Sequence, residues 1–258
     1  MSDALAIAAS GLKSEEYYIE KIANDLANLN TPNYKSTKLT FEDVLYQNID
    51  GTTPMFQHQN SASIGLGTAV YATSKDFSNG PLKPTNNWND VAIDGNGFFQ
   101  VINTDGNVAY TRNSSLTVDS DRYLATQDGL RLADQIQIPE DAVEITIQKN
   151  GDVEATMSDA AEPQLLGTIK LAKFLNPESL HAMGSGLYNT TEQTGDAVVD
   201  NPGNSGIGTL LQKHIEGSNV DMVNSLMQLT MAQRVYQLNA KAVQVADELE
   251  KMTNEIRD

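Results

Sequence analysis

A hydrophobic repeat of seven residues marks both ends of the chain but not its middle. Near the N-terminus Leu5, Leu12, Ile19 and Leu26 recur at that interval, while Ala8, Ile22 and Leu29 fill a second seam with Glu15 as its one polar member. Near the C-terminus Met231, Leu238, Val245 and Met252 repeat, interleaved with Val235, Ala242, Leu249 and Ile256. An apolar helical stripe at this spacing needs a partner helix to cover it. A chain with one at each terminus, around a strand-rich centre, is built for assembly rather than for catalysis.

The spacing predicts a first helix over residues 3–30. It closes at Asn28-Leu29-Asn30-Thr31-Pro32-Asn33, because proline disfavours helical backbone at the residue before it. Phe41, Val44, Leu45 and Tyr46 predict a short second helix within residues 34–50. Residues 51–87 are polar and irregular, with a strand expected around Ile64, Leu66, Ala69, Val70 and Tyr71. From Val91 the period changes to two. Short apolar runs at 91–93, 98–102, 108–111, 143–147, 153–157 and 165–174 alternate with turn signals at Asp94-Gly95-Asn96-Gly97, Asp105-Gly106, Asp119-Ser120-Asp121, Asp128-Gly129 and Asn150-Gly151. Such pairs between strands are hairpin signatures. Residues 189–208, rich in Thr, Gly, Asn and Asp, read as a linker. Gly217 marks a break before a helix over 219–257, which would extend roughly 55–60 Å at 1.5 Å per residue. The expected fold is α+β: long terminal helices (1–33 and 209–258) pairing as a coiled coil, a connecting segment (34–87), a central antiparallel all-β domain (88–188) and a linker (189–208).

Composition narrows the function classes. The formal net charge of −17 over 258 residues argues against nucleic acid, whose phosphates need a basic surface, and against an anionic membrane surface. No apolar run reaches the roughly 20 residues of a membrane span, so no membrane insertion is expected. Aromatic residues make up 6%, so the core must lean on aliphatic side chains. The chain has no cysteine, which fits the cytoplasm or export without oxidative folding. No cleavable signal peptide opens it. His58, His181 and His214 lie far apart, which leaves no metal-binding cluster. Gly203-Asn204-Ser205-Gly206 lacks the spacing of a nucleophile elbow, and Asp94-Gly95-Asn96-Gly97 lacks the following helix of a phosphate loop. Asp119 and Asp121 lack the EF-hand spacing. No catalytic, cofactor-binding or metal-ligating residue is assigned.

Three blocks carry a resemblance. The first runs Ile22-Ala23-Asn24-Asp25-Leu26-Ala27-Asn28-Leu29-Asn30-Thr31-Pro32-Asn33-Tyr34-Lys35. The second joins Asp90-Val91-Ala92-Ile93-Asp94-Gly95-Asn96-Gly97-Phe98-Phe99 to Ala109-Tyr110-Thr111-Arg112. The third joins Glu216-Gly217-Ser218-Asn219-Val220 to Gln233-Arg234-Val235-Tyr236-Gln237-Leu238-Asn239-Ala240-Lys241. In this order they resemble the bacterial flagellar basal-body rod and hook axial proteins, and most of all the distal rod members. Asp25, Asn33, Val235 and Gln237 depart from the usual residues. Asn tolerates positive φ, so a turn at Asn33 is feasible. The motif positions matched are Asn24, Leu26, Ala27, Asn28, Asn30, Thr31, Ser218, Asn219, Val220, Gln233, Arg234, Tyr236, Asn239 and Lys241.

The resemblance implies a structural subunit, exported without a cleaved signal, that polymerises into a rigid helical tube spanning the periplasm and transmitting torque to the hook. The partners it implies are further copies of the chain, neighbouring rod and hook subunits, the flagellar export apparatus and the outer ring (bushing) proteins. The expected assembly interface is Leu5, Leu12, Ile19, Ile22, Leu26 and Leu29 with Met231, Val235, Leu238, Ala242, Val245, Leu249, Met252 and Ile256. A second C-terminal stripe, Met222, Leu229, Tyr236 and Val243, offers a further face. The alternatives are the proximal rod protein that also bears a β domain and, from another class, a secreted β-rich wall-acting enzyme.

Overall fold

The computed structural model describes residues 2–44, 46–48, 63–65, 67–158 and 162–257. Its architecture is α+β: two long helices, one near each terminus, and many short strands between them. The chain divides into two units. A helical unit comprises Met1–Ala27, Thr37–Thr73 and Asp221–Asp258, and a β-rich unit comprises Asn28–Ser36 and Ser74–Val220.

In the helical unit, α1 (Ser2–Ala27) and α2 (Met222–Arg257) pack on one another. Asp221 caps α2: its carboxylate accepts the backbone N–H groups of Val223 at 2.9 Å and Asn224 at 3.1 Å, two donors the first helical turn would otherwise leave without partners. Asp25 is buried with Lys21 at 2.9 Å and accepts the Thr37 N–H. The short second helix expected at 34–50 is instead a strand, Thr37–Asp43, paired with Thr68–Lys75. Phe41 packs edge-on against Tyr18 of α1. A run this short does not distinguish the two periods, and pairing with a distant strand decided it. Tyr46–Asn48 pairs with Ser63–Gly65, in line with a strand near Ile64; Leu45, Leu66 and most of the polar segment (49–62, with His58) lie outside the described residues.

The β-rich unit is organised about a six-stranded antiparallel sheet, in the order His181–Gly184, Leu187–Asn189, Val108–Thr111, Phe98–Ile102, Leu171–Lys173, Val198–Asp200. Period-two alternation gives it two apolar faces. Phe99, Val101, Ala109 and Leu171 point into an aliphatic core with Val91, Leu116, Leu124, Ile147, Val153 and Leu210. Phe98, Tyr110 and Ala172 point the other way, into an aromatic cluster with Phe77, Phe174 and Tyr188. Those rings meet edge-to-face at 4.8–6.1 Å, the arrangement their quadrupoles favour. The main core is therefore aliphatic, as composition requires, with the few aromatics gathered behind the sheet. A three-stranded antiparallel sheet, Ala142–Ile147, Asp152–Met157 and Gln164–Thr168, covers the aliphatic side.

Two expectations change here. The turn at Asp94–Gly97 does not close a hairpin: Val91–Asp94 pairs with Thr209–Gln212, so the chain passes there from one sheet to another. Gly95, at φ +116°, touches Gly208 so closely that an added Cβ would lie 2.8 Å from its Cα. The supposed linker 189–208 is built into the unit, since Val198–Asp200 pairs with Leu171–Lys173, and Pro202 and Ile207 are buried. Its Gly, Asn and Thr make tight turns rather than flexible chain.

Candidate functional site

Three charged side chains meet inside the β-rich unit. Lys35 Nζ lies 2.8 Å from Glu216 Oε1, and Arg112 Nε lies 3.0 Å from Glu216 Oε2; none of the three is more than 2% exposed. A buried ion pair costs more than it returns unless its remaining polar atoms are satisfied. Here they are. Lys35 Nζ donates to the Ser78 carbonyl at 2.7 Å, and the Gly80 N–H donates to Glu216 Oε1 at 2.9 Å. Arg112 donates to the carbonyls of Gly97 at 2.9 Å and Gly95 at 3.1 Å, and lies 5.8 Å from the Phe98 ring centroid. Burial opposes the charge on Glu216, but Arg112 and then Lys35 outweigh it and hold the carboxyl below its ordinary value. Burial, with repulsion from Arg112, pulls the Lys35 ammonium below its own.

Backbone geometry completes the clasp. Asn33 takes φ +60°, and its N–H donates to the Glu216 carbonyl at 2.9 Å. Asn219 accepts the Ser36 N–H at 2.8 Å through Oδ1 and donates through Nδ2 to the Asp76 carbonyl at 2.8 Å. Gly80 must be glycine, because a Cβ there would lie 2.0 Å from the Gly217 carbonyl oxygen. The clasp thus joins one residue from each of the three sequence blocks, Lys35, Arg112 and Glu216, within this unit. One carboxylate bridges two cations, and all three groups are held by further hydrogen bonds, so the arrangement ties these segments together. Sequence reasoning assigned no role to Lys35, Arg112 or Glu216; the signal was that each block contains one of them.

The helical unit presents the opposite arrangement. Of the N-terminal seam, Ile22 is buried and Leu5, Leu12, Ile19 and Leu26 are half-buried; Leu29, also half-buried, lies past the end of α1 in the β-rich unit. The C-terminal seam, however, does not face α1. Met231, Val235, Leu238, Val245, Leu249 and Met252 are 37–69% exposed, and Ala242 is exposed; the Ile256 side chain lies outside the described residues. The inward face of α2 holds buried Ala232 with half-buried Leu229, Asn239, Val243 and Ala246. The second stripe is therefore the one turned inward at Leu229 and Val243, while Tyr236 and Met222 stay exposed beside it. Close approach explains the choice. Gly11 of α1 sits so near Asn239 that an added Cβ would lie 3.0 Å from Nδ2, and such a seam favours small residues over Met and Leu.

The motif positions divide along the same lines. Ser218 is buried and Asn219 and Val220 are half-buried around the clasp; Leu26 and Asn28 are half-buried, and Asn28 accepts the Thr31 hydroxyl at 3.1 Å. Asn24, Ala27, Asn30, Thr31, Gln233, Arg234 and Lys241 are exposed.

Two family profiles match. One, described as the flagellar hook protein FlgE/F/G D1 domain, covers residues 92–155, and the other, the flagellar basal body rod FlgEFG protein C-terminal region, covers residues 211–256. The flagellar basal-body rod protein FlgG of Borreliella burgdorferi is 37% identical over 263 residues, covering 100% of this chain and 99% of its own. The chain belongs to the flagellar rod and hook protein family. Within it the similarity is to the distal rod type: the FlgG protein of Agrobacterium fabrum is 38% identical over 252 residues, covering 95% of this chain and 96% of its own. The flagellar hook-basal body complex protein FlhP of Bacillus subtilis is more distant, at 25% identity over 273 residues and 100% of both chains. This rod-family chain is a structural component of the flagellar basal body. None of its described helices is long and apolar enough to cross a membrane.

Proposed function

We propose that the chain polymerises into the rigid distal part of the flagellar rod, and that the exposed apolar stripe of α2 is its main subunit contact. The carrying observation is the stripe itself: Met231, Leu238, Val245 and Met252 are each at least 43% exposed at seven-residue spacing. An isolated helix face of this kind is covered when subunits associate. The N-terminal seam, Leu5 to Leu26, pairs with the inward face of α2 as an intramolecular coiled coil. The rod relatives support this non-enzymatic reading over a wall-acting enzyme.

In this reading the rod carries torque to the hook and contacts neighbouring rod and hook subunits and the outer ring proteins, after passage through the export apparatus. Residues 51–87 set how straight the rod is. Deleting residues 51–66 then changes rod stiffness; unchanged stiffness contradicts that part of the reading. The stripe is tested by Val245→Asp. Electron microscopy and sedimentation of purified protein at rising concentration should show straight tubes for the unaltered chain and none for the variant, with the β-rich unit still folded by circular dichroism. Tubes formed equally by the variant would overturn it.

A further inference from the structure

The helical unit carries a second unfilled surface. A groove of about 680 Å³, lined by Ile7, Ala8, Gly11, Glu15, Phe41 and Ala242 among others, runs beside α1. Most of its wall is apolar, but Glu15 projects a carboxylate there that has no ion-pair partner among the described residues. Burial raises its pKa, as expected for a carboxylate lacking a matching cation. The same copy's stripe does not fill the groove: Ala242 borders it, while Met231, Leu238 and Val245 remain exposed.

The stripe carries the complementary charge. From Met222 to Ala246, α2 has Arg234 and Lys241 and no carboxylate. Arg234 stands three residues from Met231 and four from Leu238, and Lys241 stands three from Leu238 and four from Val245. These spacings put both cations on the border of the apolar stripe. Both are exposed, and neither is in an ion pair among the described residues.

We propose that the groove beside α1 is the acceptor for the α2 stripe of a second copy of this chain, with Glu15 of one copy meeting Arg234 of the next. This rests on the assembly reading above and adds the surface that the stripe meets. Apolar wall meets apolar stripe, and a half-buried anion meets a cation with none of its own. Groove and stripe are different surfaces, so the contact is head-to-tail. Repeated without closure, it gives a helical array rather than a two-fold dimer. Arg234 and Lys241 thereby gain a role that the clasp does not give them.

The absence of cysteine allows a direct test. Full-length Ala8→Cys and Leu238→Cys variants are mixed under oxidising conditions, at a concentration where the unaltered chain sediments as assemblies. A disulfide needs Cα atoms within about 7 Å, and in the mixture it can join groove to stripe only between copies. The expected result is a covalent dimer in the mixture and little in either variant alone. A dimer of Leu238→Cys alone, with no gain on mixing, means stripe meets stripe and overturns the proposal. So does no dimer at all from variants that still assemble.

Charge exchange gives a second readout. Glu15→Lys and Arg234→Glu should each raise the concentration needed for assembly about tenfold, and the double variant should restore it. Failure of the double variant to recover overturns the pairing. If Val245→Asp assembles normally, the assembly reading itself fails, which separates the two outcomes.

Discussion

The β-rich unit and the helical unit treat unfavourable groups in opposite ways. In the first, two cations share one buried carboxylate, and all three groups also hydrogen-bond to backbone donors or carbonyls. In the second, large apolar side chains remain in water although a partner helix lies alongside. A folded chain retains a buried ionic cluster only where every polar atom is satisfied. It retains an exposed hydrophobic stripe where something else covers it. The first unit buries its core in one copy; the second leaves a stripe exposed that, in the proposed assembly, other copies cover.

Four substitutions and a change of pH would break or sharpen that contrast. Glu216→Gln leaves Lys35 and Arg112 buried without a full counter-charge and should cost about 3–5 kcal/mol, read as a lower denaturant midpoint for the β-rich unit. Acid should act on the same group. Because its folded carboxyl is held below the ordinary 4.5, its contribution is intact above that pH and is lost as pH falls further. Gly80→Ala forces the Gly217 carbonyl aside and should cost about 1–3 kcal/mol in the same unit. Asp221→Ala removes the α2 cap and should cost about 1 kcal/mol, seen as lost helix rather than lost sheet by circular dichroism. Val245→Asp should change single-copy stability by no more than about 0.5 kcal/mol, because the side chain is already 43% exposed, while removing assembly. A large stability loss there would place Val245 in the subunit's own core.

Much of this was legible in the sequence. The change to period two at Val91 located the central sheet, and the turn at Asn33 was allowed by its tolerance of positive φ, which it adopts. Two features were not legible. On α2, the seven-residue spacing picked out Met231, Leu238 and Val245 without deciding which face meets α1; the inward face carries Ala232 and Ala246, whose short side chains give little hydrophobic signal. At 37–43, an ambiguous apolar spacing was settled by a strand some thirty residues downstream. The clasp was invisible for another reason. Lys35 and Glu216 lie 181 residues apart, and charged residues in so acidic a chain ordinarily read as surface.

The most direct test of incompleteness is hydrogen exchange, measured residue by residue on single copies and on assembled tubes. The amides of Val91, Phe99, Val101 and Leu171 should be equally protected in both states, whereas those along residues 231–252 of α2 should exchange readily in single copies and become protected on assembly. Equal protection of α2 in the two states would contradict the account, because it would mean the stripe is already covered within one copy.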